Sequence, residues 1–234
     1  MSQNRSSAVM AQRIEAHDSL DDFPTPAWGT RALCEHVLPP LVSPRFSLPL
    51  LSAWEPCCGR GTMSRPLREY FGRVVASDIH DYGEGYPTHD FLMPFVPPEV
   101  GRVHFCVFNP PFRLGERFVR RALDIAEIGV AALVRTAFLE SQERFRLYRE
   151  HPPAVVAQFV ERVPMVKGRL ERAASTATAY CWIVWRKGET DTRFKWIPPC
   201  RANLDRDSDW PTQTPATNSL TTAEELRSTE PPQS

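Results

Sequence analysis

Short apolar runs alternate with helix-patterned stretches from residue 50 to residue 186. The runs at 50–57 (LLSAWEPC), 73–79 (RVVASDI), 103–109 (VHFCVFN), 130–136 (VAALVRT), 154–160 (AVVAQFV) and 178–186 (TAYCWIVWR) are rich in β-branched and aromatic residues, which predicts strands. Helices are predicted over 28–37, 63–71, 115–127 and 142–149. In the third of these, Phe118, Ala122, Leu123 and Ile125 can share one face while Arg117, Arg120 and Arg121 lie towards the other. This alternation predicts an α/β fold with a mostly parallel sheet and helices packed on it. Trp182 and Trp185, three apart in the last run, should face opposite sides of the sheet as core residues.

In such sheets ligands bind at the carboxyl ends of the strands, so the residues that follow each run are the candidates. The first run leads into EPCCGRG, where Glu55, Pro56 and Cys57 precede Gly59 and Gly61. Two glycines let the backbone pass close to a ligand, although the third glycine of a dinucleotide fingerprint is missing and a plain tight turn is an equal reading. The second run ends at Asp78, where an acid can accept from a ribose diol or simply be solvated. In HDFLMP, Asp90 can accept from an amine and Phe91 can cover a ring, or both can be ordinary loop residues. The third run delivers Asn109, Pro110, Pro111 and Phe112 to the same edge. Asn-Pro alone is a common turn opener; following a strand, downstream of a G-x-G turn and a strand-end acid, it is a candidate site.

A tetrapeptide with two fixed acceptors can receive a group that carries two N–H donors, such as an aryl amine. Such a nitrogen is a poor nucleophile because its lone pair is delocalised into the ring. Acceptors for both amine hydrogens favour a pyramidal nitrogen with its lone pair free. The Asn109 side-chain oxygen and the Pro110 carbonyl can be those acceptors, and two prolines fix φ near about −65° before substrate arrives. Phe112 can stack on a base withdrawn from its helix.

Composition sets the limits. At 234 residues with 42% hydrophobic content the chain can build one good core. The expected organisation is a flexible arm over 1–20, a domain over 21–199 and a disordered acidic tail over 200–234, Pro/Thr/Ser-rich with six acids against two arginines after Arg201. Net charge is zero, so nucleic-acid binding would need a local patch. Residues 160–201 hold nine basic and four acidic side chains, and Lys167, Gly168 and Arg169 are the candidate contacts; a solvated surface explains the same charges. A separate recognition unit is not expected within these residues, so sequence specificity is expected to be low or to rest on loops at 81–102 and 137–153. The six cysteines have no zinc spacing and suit reduced thiols in a cytoplasm. His80, His89, His104 and His151 form no ligand set, so no metal is expected, and no apolar run has the length of a membrane span.

EPCCGRG, SDI, HDF and NPPF resemble, in order and approximate spacing, the motifs of S-adenosylmethionine-dependent amino-methyltransferases, and are most similar to small phage or prophage DNA adenine N6-methyltransferases. DFPTPAW, at 22–28, resembles the family's preceding cofactor motif. The resemblance covers roughly residues 22–187 and implies a Rossmann-like class I methyltransferase fold with S-adenosyl-L-methionine as cofactor. It implies that Glu55, Pro56, Cys57, Gly59 and Gly61 hold the methionyl end, Asp78 and Ile79 the ribose side, and Asp90 with Phe91 the adenine. Phe23, Thr25 and Pro26 would form the other wall, and Asn109 to Phe112 the catalytic motif. Glu55 stands where the family often has Asp or Asn, and Cys57–Cys58 where it has aromatic or small residues. The implied substrate is adenine in DNA, with adenine in RNA, a protein glutamine, or a catalytically silent nucleic-acid-binding module as alternatives. Phe112, where glutamine-modifying enzymes carry Tyr, favours a base.

Overall fold

The computed structural model describes residues 20–42 and 47–211. The arm at 1–19 and the tail at 212–234 lie outside the described residues. Seven strands form one sheet: β1 (Ser52–Glu55), β2 (Arg73–Ala76), β3 (Phe105–Phe108), β4 (Gly129–Arg135), β5 (Val155–Phe159), β6 (Tyr180–Arg186) and β7 (Arg193–Ile197). Their spatial order is β2-β1-β3-β4-β6-β5-β7. Neighbours are parallel except for β6, which is antiparallel to β4 and β5.

The helices are α1 (Ala27–Ala32), α2 (Ser64–Leu67), α3 (Gly115–Ile125), α4 (Gln142–Glu150) and α5 (Arg201–Leu204). The helix expected over 28–37 loosens from α1 into a π turn, in which Leu38 N–H bonds to Leu33 C=O, before Pro39 and Pro40 stop it. Ser141 caps α4 by accepting from Arg144 N–H.

Alternation along the strands splits the core into two layers. Phe105, Val107, Leu133, Trp182 and Val184 pack with Trp28, Leu33, Val37 and Leu67 of the α1–α2 side. Cys106, Phe108, Val134, Ile183 and Trp185 pack with Phe118, Val119 and Ala122 of α3. The two tryptophans of β6 therefore lie on opposite faces, as their spacing requires.

Three expectations change. A seventh strand, β7, pairs parallel to β5. Its pattern hid it, because Phe194 and Trp196 are exposed and only Ile197 is buried. The domain does not stop at 199: α5 and a 3-10 turn at Asp207–Asp209 follow, held by Arg31 through Asp209 and by Arg172 through Asp205 and Asp207. The start of the acidic tail is thus ordered by buried and half-buried arginines. At least five of the nine basic side chains of 160–201 have partners within the chain. Arg169 pairs with Glu171, Arg186 with Glu189, Arg172 and Arg201 with the acidic segment, and Lys195 donates to the His36 carbonyl.

Candidate active site

The chain passes from β1 to β2 on one side and then crosses to β3 on the other, so β1 is the switch point of the sheet. A crevice opens there at the carboxyl ends of the strands. It is a cleft of about 480 Å³, within the range of nucleotide-sized ligand pockets. Its lining includes Phe23, Thr25, Glu55, Pro56, Cys57, Gly59, Asp78, Ile79, Asp90, Phe91, Asn109 and Pro111, which sequence reading had singled out from separate stretches.

The loop after β1 turns at Gly59 and Gly61, both at positive φ (51° and 72°), a conformation that glycine enters without strain. Gly59 N–H donates to one carboxylate oxygen of Asp78 at 2.8 Å, and His80 N–H donates to the other at 2.9 Å. Asp78 therefore binds the glycine loop to the end of β2, and each of its oxygens keeps a lone pair for a further donor. Gly61 is not on the cleft lining: a Cβ there would lie 2.0 Å from the Tyr86 hydroxyl, so its role is to let the turn close beneath that ring. Pro26 is likewise off the lining and stands at the N-cap of α1.

Glu55 is 3% exposed and accepts from the Ser64 hydroxyl. Burial pushes its carboxyl up to about 8, with the Asp78 charge acting in the same direction, so it is largely neutral near pH 7. Burial likewise keeps the Cys57 thiol protonated, and its S–H donates to the Asn109 carbonyl at 3.3 Å. Asp90 closes an Asx turn by accepting from Leu92 N–H at 2.9 Å. Phe91 packs into the core against Trp54 and Phe118 and reaches the cleft only at its floor, whereas Ile79 is 64% exposed at the rim.

The NPPF segment sits between this cleft and a second cavity of about 180 Å³, and Asn109 and Pro111 line both. Pro110 and Phe112 line only the smaller one, with Arg135, Phe138 and Arg144. Asn109 Nδ2 donates to the Phe23 carbonyl at 3.1 Å and to Thr25 Oγ1 at 3.3 Å, with Met165 Sδ at 3.7 Å. Because a main-chain carbonyl can only accept, this fixes the amide orientation. Among the described residues, no hydrogen bond reaches Asn109 Oδ1 or the Pro110 carbonyl. The backbone N–H of Phe112 is held by Asp21 at 2.9 Å, and Asp22 pairs with Arg60 at 3.0 Å, so the segment before α1 ties the motif in place.

Lys167, Gly168 and Arg169 are not on the lining of the main cleft. Val166 and Arg169 form an antiparallel bridge around Gly168, whose N–H donates to the Asp22 carbonyl at 2.8 Å. Gly168 and Arg169 border a separate groove with Arg60, Arg65 and Trp210. Sequence reading missed Asp21 as the tether of Phe112 and Arg135 as its neighbour; the strand-end rule that found Asp78 applies equally to Arg135, the last residue of β4.

No family model and no curated protein matches the chain. Solved structures do match. The methyltransferase subunit of a type I restriction-modification system from Streptococcus thermophilus has a TM-score of 0.54 at 10% identity, over 76% of this chain and 48% of that one. A modification subunit assigned to a type I restriction enzyme from Vibrio vulnificus YJ016 gives 0.51 at 15% identity, over 84% and 51%. The M protein of the type I restriction enzyme EcoKI gives 0.50 at 13% identity, over 74% and 46%. The chain thus spans about half the length of these proteins. At such identities the likeness is one of architecture, and the chain has the Rossmann-like fold of class I methyltransferases.

Proposed function

We propose that the protein is an S-adenosyl-L-methionine-dependent methyltransferase acting on the exocyclic N6 amine of adenine in DNA. The observation that carries this reading is a pair of acceptors without a hydrogen-bond partner among the described residues, Asn109 Oδ1 and the Pro110 carbonyl, in a segment that borders a nucleotide-sized cleft and a smaller cavity beside an aromatic ring.

The residues present fit the cofactor. The cleft has the volume for a nucleoside, a carboxylate with spare acceptor capacity at Asp78, an apolar rim at Ile79, and a glycine turn that brings backbone close. Asp78 would hold the ribose hydroxyls and Asp90 the adenine amine, and Glu55 would offer polar atoms to the methionyl end. The bound cofactor supplies a methyl group on a sulfonium, an electrophile that needs no metal.

The chain's own part is positioning. Asn109 Oδ1 and the Pro110 carbonyl accept the two amine hydrogens and turn the nitrogen lone pair toward the cleft. The Phe23 carbonyl and Thr25 hydroxyl hold the Asn109 amide so that this acceptor is set in advance, which is where most of the rate arises in a direct transfer. Phe112 supports the base. Type I modification subunits of the same fold support a DNA substrate. Adenine in RNA and a protein glutamine present the same planar nitrogen and are separate outcomes of the test.

The test is titration calorimetry with S-adenosylmethionine, followed by mass spectrometry of nucleosides after incubation with DNA and with RNA, and of a glutamine peptide. N6-methyl-2′-deoxyadenosine, from DNA alone, is the expected product. No cofactor binding at high micromolar concentration, or methyl transfer only to RNA or peptide, would overturn the proposal.

A further inference from the structure

The guanidinium of Arg135 lies 3.6 Å from the centroid of the Phe112 ring. A cation so close can only stand over the ring face, since in the ring plane it would collide with the ring hydrogens. Phe23 is 5.0 Å from Phe112, centroid to centroid, and 6.0 Å from the Arg135 guanidinium. These separations put Phe23 at about a right angle to the Arg135 direction, beside the edge of the Phe112 ring. Arg135, and not Phe23, therefore covers a face of the ring that lines the smaller cavity with Asn109 and Pro110.

Arg135 differs from its neighbour in that cavity, Arg144. The Arg144 guanidinium donates to the carbonyls of Phe138, Ala137 and Glu140 and is fixed by them. Arg135 is exposed at the end of β4, with the Tyr180 hydroxyl as a neighbour, and no carboxylate pairs with it among the described residues. It is thus an exposed cation with no carboxylate partner among the described residues, stacked on a ring that lines the same cavity as Asn109 and Pro110. Guanidinium and nucleobase share planarity and stacking distance, and a base stacks on an aromatic ring more strongly than an exposed guanidinium does.

We infer that Arg135 is a substrate-positioning residue: it caps Phe112 while the base site is empty, and the incoming base displaces it onto the phosphodiester flanking the target nucleotide. This rests on the proposed nucleic-acid substrate. Exchange of one stacked plane for another keeps the ring covered throughout, and the released charge meets the phosphate as the base enters.

The experiment compares Arg135→Gln, which keeps a planar group without charge, and Arg135→Lys, which keeps charge without a stacking plane, with the unaltered protein on DNA over a series of salt concentrations. In Arg135→Gln, KM should rise about tenfold with kcat within about twofold, and the slope of log KM against log salt should fall by about one phosphate contact. Arg135→Lys should keep the salt slope of the unaltered protein. With 2-aminopurine at the target position, both variants should still give the fluorescence change of an extruded base. A salt slope unchanged in Arg135→Gln, or a loss confined to kcat, would overturn the inference while leaving the proposed function standing. No methyl transfer to DNA by the unaltered protein would overturn both.

Discussion

The side-chain amide of Asn109 donates to the main-chain carbonyl of Phe23, 3.1 Å away in space and 86 residues earlier in the chain. The bond joins the end of β3 to the segment that enters α1 and sets which atom of the amide faces the base site. Asn109→Ala should therefore lower kcat by about 10²-fold or more, as misplacement of a reacting group does, with cofactor affinity changed only a few-fold. Single-turnover transfer and calorimetry on the same sample measure the two quantities. Equal loss of both would assign the motif a purely structural role.

Asp78 receives a backbone N–H on each carboxylate oxygen, from Gly59 and from His80. An amide at this position must turn its NH₂ toward one of those donors. Asp78→Asn should cost about 1–3 kcal/mol of stability and weaken cofactor binding by about tenfold or more. Thermal melts with and without S-adenosylmethionine measure both effects; an unchanged melting temperature in the free protein would show that the acid does not hold the loop.

Glu55 gives the protein a pH dependence with a defined sign. Its carboxyl is raised to about 8 in the folded chain, so between the ordinary glutamate range and pH 8 the folded state binds more protons than the unfolded state. Stability is then fully present below the ordinary range and falls as pH rises through that window, by at most about 1.4 kcal/mol per pH unit. Glu55→Gln, which can still accept from Ser64, should flatten this slope and exceed the unaltered protein in stability above pH 8. Urea unfolding at several pH values tests this, and parallel slopes in the two proteins would refute it.

Arg31 is 2% exposed and donates to Glu69, to Asp209 and to the Leu204 carbonyl. It fastens α5 and the turn after it to α1. Arg31→Met removes the cation that Asp209 and Glu69 share, Glu69 keeping Arg206, and should cost about 1–3 kcal/mol and open the chain after Arg201 and Arg206 to trypsin. Circular dichroism under the digestion conditions separates local release from global unfolding. Resistance at both arginines in a folded variant would count against the fastening role.

Six strands and the glycine turn were legible because burial on a sheet leaves local apolar runs, and because positive φ after a strand calls for glycine. β7 was not, since its pairing with β5 is made by backbone atoms while its aromatic side chains, Phe194 and Trp196, face solvent. The basic count of 160–201 is limited for a related reason. Composition gives the number of charges, whereas the partner of each, such as Asp205 and Asp207 for Arg172, is chosen by folding.

The sequence by itself determined the alternation of strand and helix, the carboxyl edge at which Glu55, Asp78 and Asn109 emerge, and the chemistry those residue types can perform. These are local properties: side-chain period, glycine and proline restriction, and functional-group identity. Only the tertiary structure decided that Phe23 orients Asn109, that Asp21 holds Phe112, that Arg135 covers its ring, and that an acidic segment seals onto Arg31. Each of these is a contact between residues distant along the chain. Several donors and acceptors of equal chemistry compete for each such contact, and strand order and loop closure select among them.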